Sequence, residues 1–154
     1  MSKINLLVAL FLITLLSSCG FHTPIKNSAL NAVVVSDKSN VFANELRKRF
    51  NPEAAKNLTI HIGTEAKKQQ AASYTSNDTI SSYTLSLSVP VKVLNAEQKI
   101  LLSQDLSASM YLNKLGASSS RSQADRLQIQ QAYAQLQNKV IKKLIRRLSK
   151  LNED

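Results

Sequence analysis

Residues 83–93 read YTLSLSVPVKV, and this stretch carries the strongest β-strand signal in the chain. Small or polar side chains alternate with an apolar set, which consists of Tyr83, Leu85, Leu87, Val89, Val91 and Val93. A period of two is typical of a half-buried strand, with one face against a core and the other towards solvent. Pro90 lies on the polar face and has no backbone N–H to donate, which predicts either an edge strand or a bulge at that position.

The segment after this strand has the same period. A turn is predicted over residues 95–98, and the following stretch, residues 99–112, again alternates, with its apolar set at Leu102, Leu106, Ala108, Met110 and Leu112. Two alternating segments joined by a short polar turn predict an antiparallel β-hairpin.

Upstream of the hairpin, three shorter elements are predicted. Val33, Val34 and Val35 indicate a first strand within residues 31–36, and Ser39 is the expected N-cap of a helix over residues 40–50. Residues 58–62, LTIHI, alternate as a second strand. Residues 65–78 are polar and lack apolar periodicity, so they form either a loop or the frayed mouth of a hairpin.

Downstream, a long amphipathic helix is predicted from Gln123 to about Leu151. Ser122 and Asp125 have the spacing of a capping box, with aspartate in place of the usual glutamate. The apolar stripe comprises Leu127, Tyr133, Leu136 or Gln137, Val140, Ile141, Leu144, Leu148 and Leu151. The predicted fold is therefore α+β: a two-layer sandwich, in the order βαβββα, whose antiparallel-dominated four-stranded sheet carries both helices on one face.

The N-terminus has the plan of a secretory signal peptide. Residues 1–18 contain one cation, Lys3, then an apolar run from Leu6 to Leu16 and two serines. This run falls well short of the roughly 20 apolar residues of a membrane-spanning helix. We therefore expect a signal peptide at residues 1–18, a tether at residues 19–30 and a single domain at residues 31–151.

The only cysteine of the chain, Cys19, directly follows the predicted signal peptide. Leu16-Ser17-Ser18-Cys19 matches the bacterial lipoprotein signature, in which a branched apolar residue and two small residues precede the cysteine that receives the lipid. Cys19 is therefore the predicted lipidation site and the first residue of the mature chain. Gly20 follows instead of an aspartate that would favour inner-membrane retention, which predicts an outer-membrane lipoprotein anchored on the periplasmic side.

The chain is strongly basic, with a formal net charge of +10, and removal of Lys3 with the signal peptide leaves +9. The candidate partners are phosphorylated lipid, acidic loops of another envelope protein and cell-wall polymer. The predicted location in the cell envelope argues against nucleic acid. Six cations crowd the end of the last helix: Lys139, Lys142, Lys143, Arg146, Arg147 and Lys150. This cluster indicates binding to a membrane surface or to an anionic ligand, although the helix dipole and solubility also favour cations at the end of a helix.

The sequence lacks the usual patterns of catalysis. Its three glycines are too dispersed for a phosphate-binding loop or a nucleophile elbow. His22 and His61 are far apart and Cys19 is assigned to lipid, so neither a zinc site nor a Cys-His pair is expected. His61 is predicted to face solvent from its strand. We expect no enzymatic activity, no catalytic residue, no cofactor and no metal.

Several features together resemble one family, the LPS-assembly lipoproteins called LptE. Members of this family carry Cys-Gly-aromatic-His directly after the signal peptide, as in Cys19-Gly20-Phe21-His22. The resemblance continues through a short strand, a helix containing LRKRF, the long hairpin, and a final helix with Tyr133 and VIKKLIRRL. This chain departs from the family at Thr23-Pro24, where many members have Leu-Arg.

The resemblance implies a non-catalytic outer-membrane lipoprotein that plugs the β-barrel protein LptD and helps deliver lipopolysaccharide to the outer leaflet. Lys114 and Arg121 flank the serine-rich turn before the last helix and become candidate phosphate contacts, with ordinary solvated charges as the alternative. The second candidate is the helix cluster, Lys139, Lys142, Lys143, Arg146 and Arg147. An alternative function is a free-standing envelope lipoprotein that binds an anionic lipid or polymer through this basic helix.

Overall fold

The computed structural model describes residues 30–37, 39–114 and 119–151, with the backbone alone for residues 119–122. In chain order the elements are β1 (Ala32–Val35), α1 (Val41–Arg47), β2 (Leu58–Ile62), β3 (Ala66–Tyr74), β4 (Ile80–Leu94), β5 (Ile100–Asn113) and α2 (Ser119–Leu151). The predicted signal peptide, Cys19 and the predicted tether up to residue 29 lie outside the described residues.

The alternating stretch at residues 83–93 forms most of β4, the strand on which the whole sheet is built. β5 pairs antiparallel along one side of β4, from Ser82 opposite Asn113 to Leu94 opposite Ile100. The other side of β4 is shared by two collinear strands, since β2 pairs with its C-terminal part and β3 with its N-terminal part. β1 then adds to β2 in parallel. The predicted hairpin and the α+β class are confirmed.

The prediction of four strands was wrong by one, because β3 is a fifth strand. It lies within residues 65–78, for which a loop or a frayed hairpin was predicted, and it does form a hairpin with β4. Its side chains are almost all exposed, so no apolar alternation marks it in the sequence. Backbone pairing to β4 holds this strand in place, and that pairing is a tertiary property.

Pro90 lies in the central strand, so the edge-strand alternative was wrong. Its carbonyl accepts a hydrogen bond from the Gly63 N–H at 2.9 Å, at the break between β2 and β3. The position without an N–H therefore faces the break between β2 and β3, where the ladder of hydrogen bonds is already interrupted. A Cβ on Gly63 would lie 3.0 Å from the Pro90 Cβ, which explains why the smallest residue occupies this crossing.

Both helices pack on one face of the sheet, and their boundaries differ from the prediction. α1 is capped by Asn40 rather than Ser39, because the Asn40 side chain accepts from the Ala43 N–H at 2.9 Å. α1 ends at Arg47. α2 begins at Ser119, so Ser122 lies inside the helix and is not its cap.

The core lies between the sheet and the two helices. α2 contributes Ala132, Leu136, Val140, Ile141, Leu144 and Leu148, while α1 and its flank contribute Phe42, Ala43, Leu46 and Phe50. The sheet contributes the apolar set of β4 from Leu85 to Val93 together with Leu58, Ile60 and Leu106. Leu127, which was included in the predicted apolar stripe, is 56% exposed because it precedes the part of α2 that covers the core.

The strand register defines two ends of the molecule. One end, here called the tip, contains the β3–β4 turn at residues 75–79 and Lys114, whose N–H donates to the Ser81 carbonyl at 2.9 Å. The opposite end, the base, contains Leu30, the β4–β5 turn at residues 95–99 and the last turns of α2. Ala32 lies level with Leu58, one residue from the pairing of Thr59 with Leu94, which places the start of β1 at the base.

Side-chain contacts fix the direction of α2 from tip to base. The Lys67 ammonium lies 5.6 Å from the centre of the Tyr133 ring, and the Gln137 amide donates to Glu65 at 2.9 Å. Lys67 is opposite Leu87 in the ladder, while Glu65 precedes β3 and is nearer the base. The helix therefore advances towards the base as its residue numbers rise. Lys143 still contacts Ser107, which is opposite Ser88 in the middle of the sheet, so the turns of α2 after Lys143 are the ones that approach the base.

Candidate functional site

The solvent side of the C-terminal half of α2 is a strongly basic surface. Leu136, Val140, Leu144 and Leu148 recur every four residues as a buried stripe, with Ile141 beside it, so the opposite side of the helix faces outward. Lys139, Lys142, Lys143, Arg146 and Lys150 are exposed and Arg147 is half-buried. No acidic residue follows Asp125 within α2, so this positive charge has no compensation from its own helix.

These cations have few protein partners. Lys143 is an exception, because its ammonium donates to the Ser107 carbonyl on the open edge of β5 at 3.2 Å. The ion pairs found among the described residues join Lys48 to Glu45 at 2.6 Å and Lys67 to Glu65 at 3.9 Å, and neither involves this half of α2. Apart from Lys143, the guanidinium and ammonium groups of this half of α2 are therefore available to an external anion, and Arg can bind phosphate with two parallel hydrogen bonds.

The structure separates the two groups of cations that the sequence suggested as phosphate contacts. Lys114 is at the tip, where its backbone is tied to Ser81. Arg121 lies in the first turn of α2, at the same end, and its side chain is outside the described part. At 1.5 Å per helical residue, Arg121 and Arg146 are about 37 Å apart along α2. One phosphate group cannot contact both, so the chain presents two basic regions.

The base carries further cations that the sequence reasoning did not single out as binding residues. A cavity of about 520 Å³ opens beside β1, and Arg47, Lys48 and Lys56 are among the residues that line it. Arg47 donates to the Val34 carbonyl at 2.9 Å and to Asn44 at 2.6 Å, which holds its guanidinium at the sheet edge. The sequence LRKRF, residues 46–50, contains two of these cations and could have indicated a basic region here, but in the sequence it served only as part of the family resemblance.

Glu65 positions both helices relative to the sheet. One carboxylate oxygen accepts from the Phe42 N–H at 3.2 Å, in the first turn of α1, and the other accepts from the Gln137 side chain on α2. Its side chain is only 13% exposed. This carboxylate therefore links three elements from the break between β2 and β3, and it stabilises the orientation of the basic helix.

The tip carries a small hydroxyl cluster. Ser73 bonds Ser81 at 2.7 Å and Tyr111 at 3.2 Å, and it also contacts Ser82. Hydrogen bonds from Ser73 and Ser82 lower the pKa of Tyr111, because they favour the phenolate. Burial against the sheet has the opposite effect on Tyr133, whose pKa is raised.

Other candidate chemistry has little support in the part of the chain that the structure describes. His61 is exposed on β2, as predicted, and no group of three or more potential metal ligands occurs among the described residues. Within the same residues, no helix has both the length and the apolar character needed to cross a membrane. His22 and Cys19 lie outside them.

The fold and its charges define a class of protein, a small two-layer α+β domain with one long basic helix. The sequence profile of the lipopolysaccharide-assembly family LptE matches residues 30–148. The chain therefore belongs to the LptE family, which confirms the resemblance seen in its sequence. This is a family of lipopolysaccharide-assembly lipoproteins, and no enzyme family is indicated.

Two solved lipoprotein structures have a similar fold. The solution structure of uncharacterized lipoprotein B from Nitrosomonas europaea has a TM-score of 0.62 at 16% identity, covering 82% of this chain and 88% of that one. The crystal structure of the rare lipoprotein B from Shewanella oneidensis has a TM-score of 0.58 at 12% identity, covering 78% and 96% respectively. No curated protein matches the chain in sequence. At such identities the two structures establish the fold.

Proposed function

We propose that this chain is an outer-membrane lipoprotein, anchored through Cys19 on the periplasmic side, that acts as a non-catalytic plug and assembly subunit of an LptD-like β-barrel. In this role it aids the transport of lipopolysaccharide and its insertion into the outer leaflet. The observation that carries the proposal is the family match over residues 30–148. The lipoprotein signature at residues 16–19 supports the anchor.

The charge distribution supports contact with a phosphorylated substrate. Lipopolysaccharide carries phosphates on its lipid A and core, and Lys and Arg are the side chains that neutralise and bind such groups. Lys114 and Arg121 at the tip form one candidate contact region, and the basic half of α2 forms the other. The exposed cations of α2 also favour the second candidate function, a free-standing lipoprotein that binds an anionic lipid or polymer without a barrel partner.

Co-purification separates these two functions. From membranes solubilised in mild detergent, the tagged chain is expected to carry one large outer-membrane β-barrel protein in a fixed ratio, identified by mass spectrometry. A chain that elutes alone, and that binds lipid A with strong salt dependence, would support the free-standing alternative instead, because exposed ionic contacts weaken as salt shortens the screening length.

Arg121→Glu tests the tip as the substrate contact. We expect this variant to bind lipopolysaccharide roughly tenfold more weakly, since it replaces a phosphate-binding cation with an anion. Arg126→Glu is the matched control, because Arg126 is an exposed cation further along α2 and the change in net charge is identical. Circular dichroism checks that both variants fold. Equal affinities of the two variants at low salt would remove Arg121 from the site.

A further inference from the structure

The base of the molecule combines cations from separate elements. Lys56 precedes β2, Lys99 lies in the β4–β5 turn, and Arg146 and Lys150 lie on the last turns of α2. All four are exposed, and none of them is in an ion pair found among the described residues. Within the described ranges, Glu53 and Glu97 are the carboxylates of the loops at this end, and Glu97 already interacts with Asn95. In the sequence, Glu153 and Asp154 follow α2 and lie outside those ranges.

The base also presents an apolar side chain and the start of the domain. Ile100, next to Lys99, is 52% exposed. Leu30 lies at the same end, because its carbonyl accepts from the Asn51 N–H at 3.0 Å and it precedes the start of β1. Cys19 is 11 residues before Leu30, so a tether between them spans at most about 40 Å. A lipid on Cys19 would thus be tied to the end that carries these cations.

From this arrangement we propose that the base is a membrane-docking surface for the anionic phospholipid headgroups of the leaflet that holds the anchor. Cations attract headgroup phosphates within a screening length of the bilayer, and an exposed apolar side chain among them adds contact with the interface. Because the lipid anchor tethers the domain, the base meets the bilayer at a high effective concentration, and a modest attraction is sufficient to orient the domain. The tip, with Lys114 and Arg121, then points away from the leaflet and remains open to substrate.

The proposal rests on the lipid anchor of the proposed function and concerns the lipoprotein before it enters the barrel, because a domain enclosed by a barrel cannot present its base to the leaflet. It assigns the basic end of α2 to phospholipid and leaves lipopolysaccharide to the tip. Because the two assignments concern opposite ends of α2, they can be tested separately on the same protein.

The test measures which end of the domain lies near the bilayer. The mature lipidated protein is inserted into vesicles of phosphatidylcholine, with or without phosphatidylglycerol, that contain a headgroup-labelled acceptor lipid. A donor dye is placed at the base with Ala96→Cys or at the tip with Ser76→Cys, both exposed turn positions. Each introduced cysteine is the only free thiol once Cys19 carries its thioether.

In vesicles with phosphatidylglycerol we expect energy transfer from residue 96 to exceed transfer from residue 76 at least twofold. This difference should disappear at about 1 M salt, where the Debye length is about 3 Å. Arg146→Glu with Lys150→Glu should abolish it. The matched control, Lys68→Glu with Arg126→Glu, makes the same change in net charge away from the base and should preserve it.

Three results would overturn the proposal. The first is equal transfer from residues 96 and 76 in phosphatidylglycerol vesicles. The second is an equal loss of the transfer difference in both double variants, which would mean that net charge alone causes the effect. The third is a base-specific signal that requires lipopolysaccharide in the vesicles and is absent with phosphatidylglycerol, because lipopolysaccharide would then be the ligand of the base. If the energy-transfer difference is found as expected but the chain does not co-purify with a β-barrel protein, only the proposed function is overturned.

Discussion

Leu136→Ala is expected to lower the free energy of unfolding by about 2–5 kcal/mol. Leu136 is fully buried in the core that α2 forms with β4, so truncation removes apolar contacts and leaves a cavity that the sheet cannot fill. Since small domains are stable by only about 5–15 kcal/mol, this loss is a large part of the total. Urea unfolding followed by circular dichroism measures it through the shift of the midpoint.

The neighbouring residue provides the control for this prediction. Gln135 is exposed on the same turn of α2, and Gln135→Ala should change the free energy of unfolding by no more than about 0.5 kcal/mol. If Leu136→Ala were as mild as Gln135→Ala, α2 would not pack on the sheet as described. The placement of its C-terminal turns near the base would then no longer be supported.

Cys19→Ala is expected to abolish lipidation and, with it, stable attachment to the membrane. The thiol is the group that would form the thioether, and no other cysteine exists in the chain to replace it. A single acyl chain gives only marginal anchoring, so a domain without any of the lipoprotein's acyl chains should be released into the soluble periplasmic fraction. Intact-mass measurement and membrane fractionation provide the two readouts.

Ser18→Ala is the matched control for Cys19→Ala. Alanine keeps a small residue before the cysteine, so acylation and outer-membrane fractionation should both be retained. Retention of the acyl mass or of outer-membrane fractionation by Cys19→Ala would contradict the assignment of Cys19 as the anchor.

Where side-chain burial and local structure agree, the sequence predicted the fold well. Residues 83–93 alternate because one face of β4 is buried under the helices, and this period alone identified the central hairpin. The buried stripe of α2 likewise recurs at helical spacing and predicted a long amphipathic helix. Its basic side also followed from the sequence, because residues between buried positions must face outward.

Elements without a buried face were missed or misplaced. β3 has almost no buried side chain, so its existence depends on backbone hydrogen bonds to β4 that leave no trace in hydropathy. Pro90 indicated a disruption of pairing, but the sequence could not say that the disruption is the break at Gly63 beside a central strand. The helix caps were misplaced for a related reason, since several neighbouring polar residues can cap a helix and the register of the turn selects one.

By itself, the sequence determined the class of fold, the family resemblance, the lipoprotein signature and the excess of positive charge, because each depends on the local order of residue types. Only the tertiary structure decided where the cations lie relative to one another. The predicted helix already separated Arg121 from the basic cluster, but only the packing of α2 on the sheet decided that its C-terminal turns approach the base. Lys56 and Lys99 are distant in sequence and lie at the same end of the sheet, since strand register, not residue type, places them there.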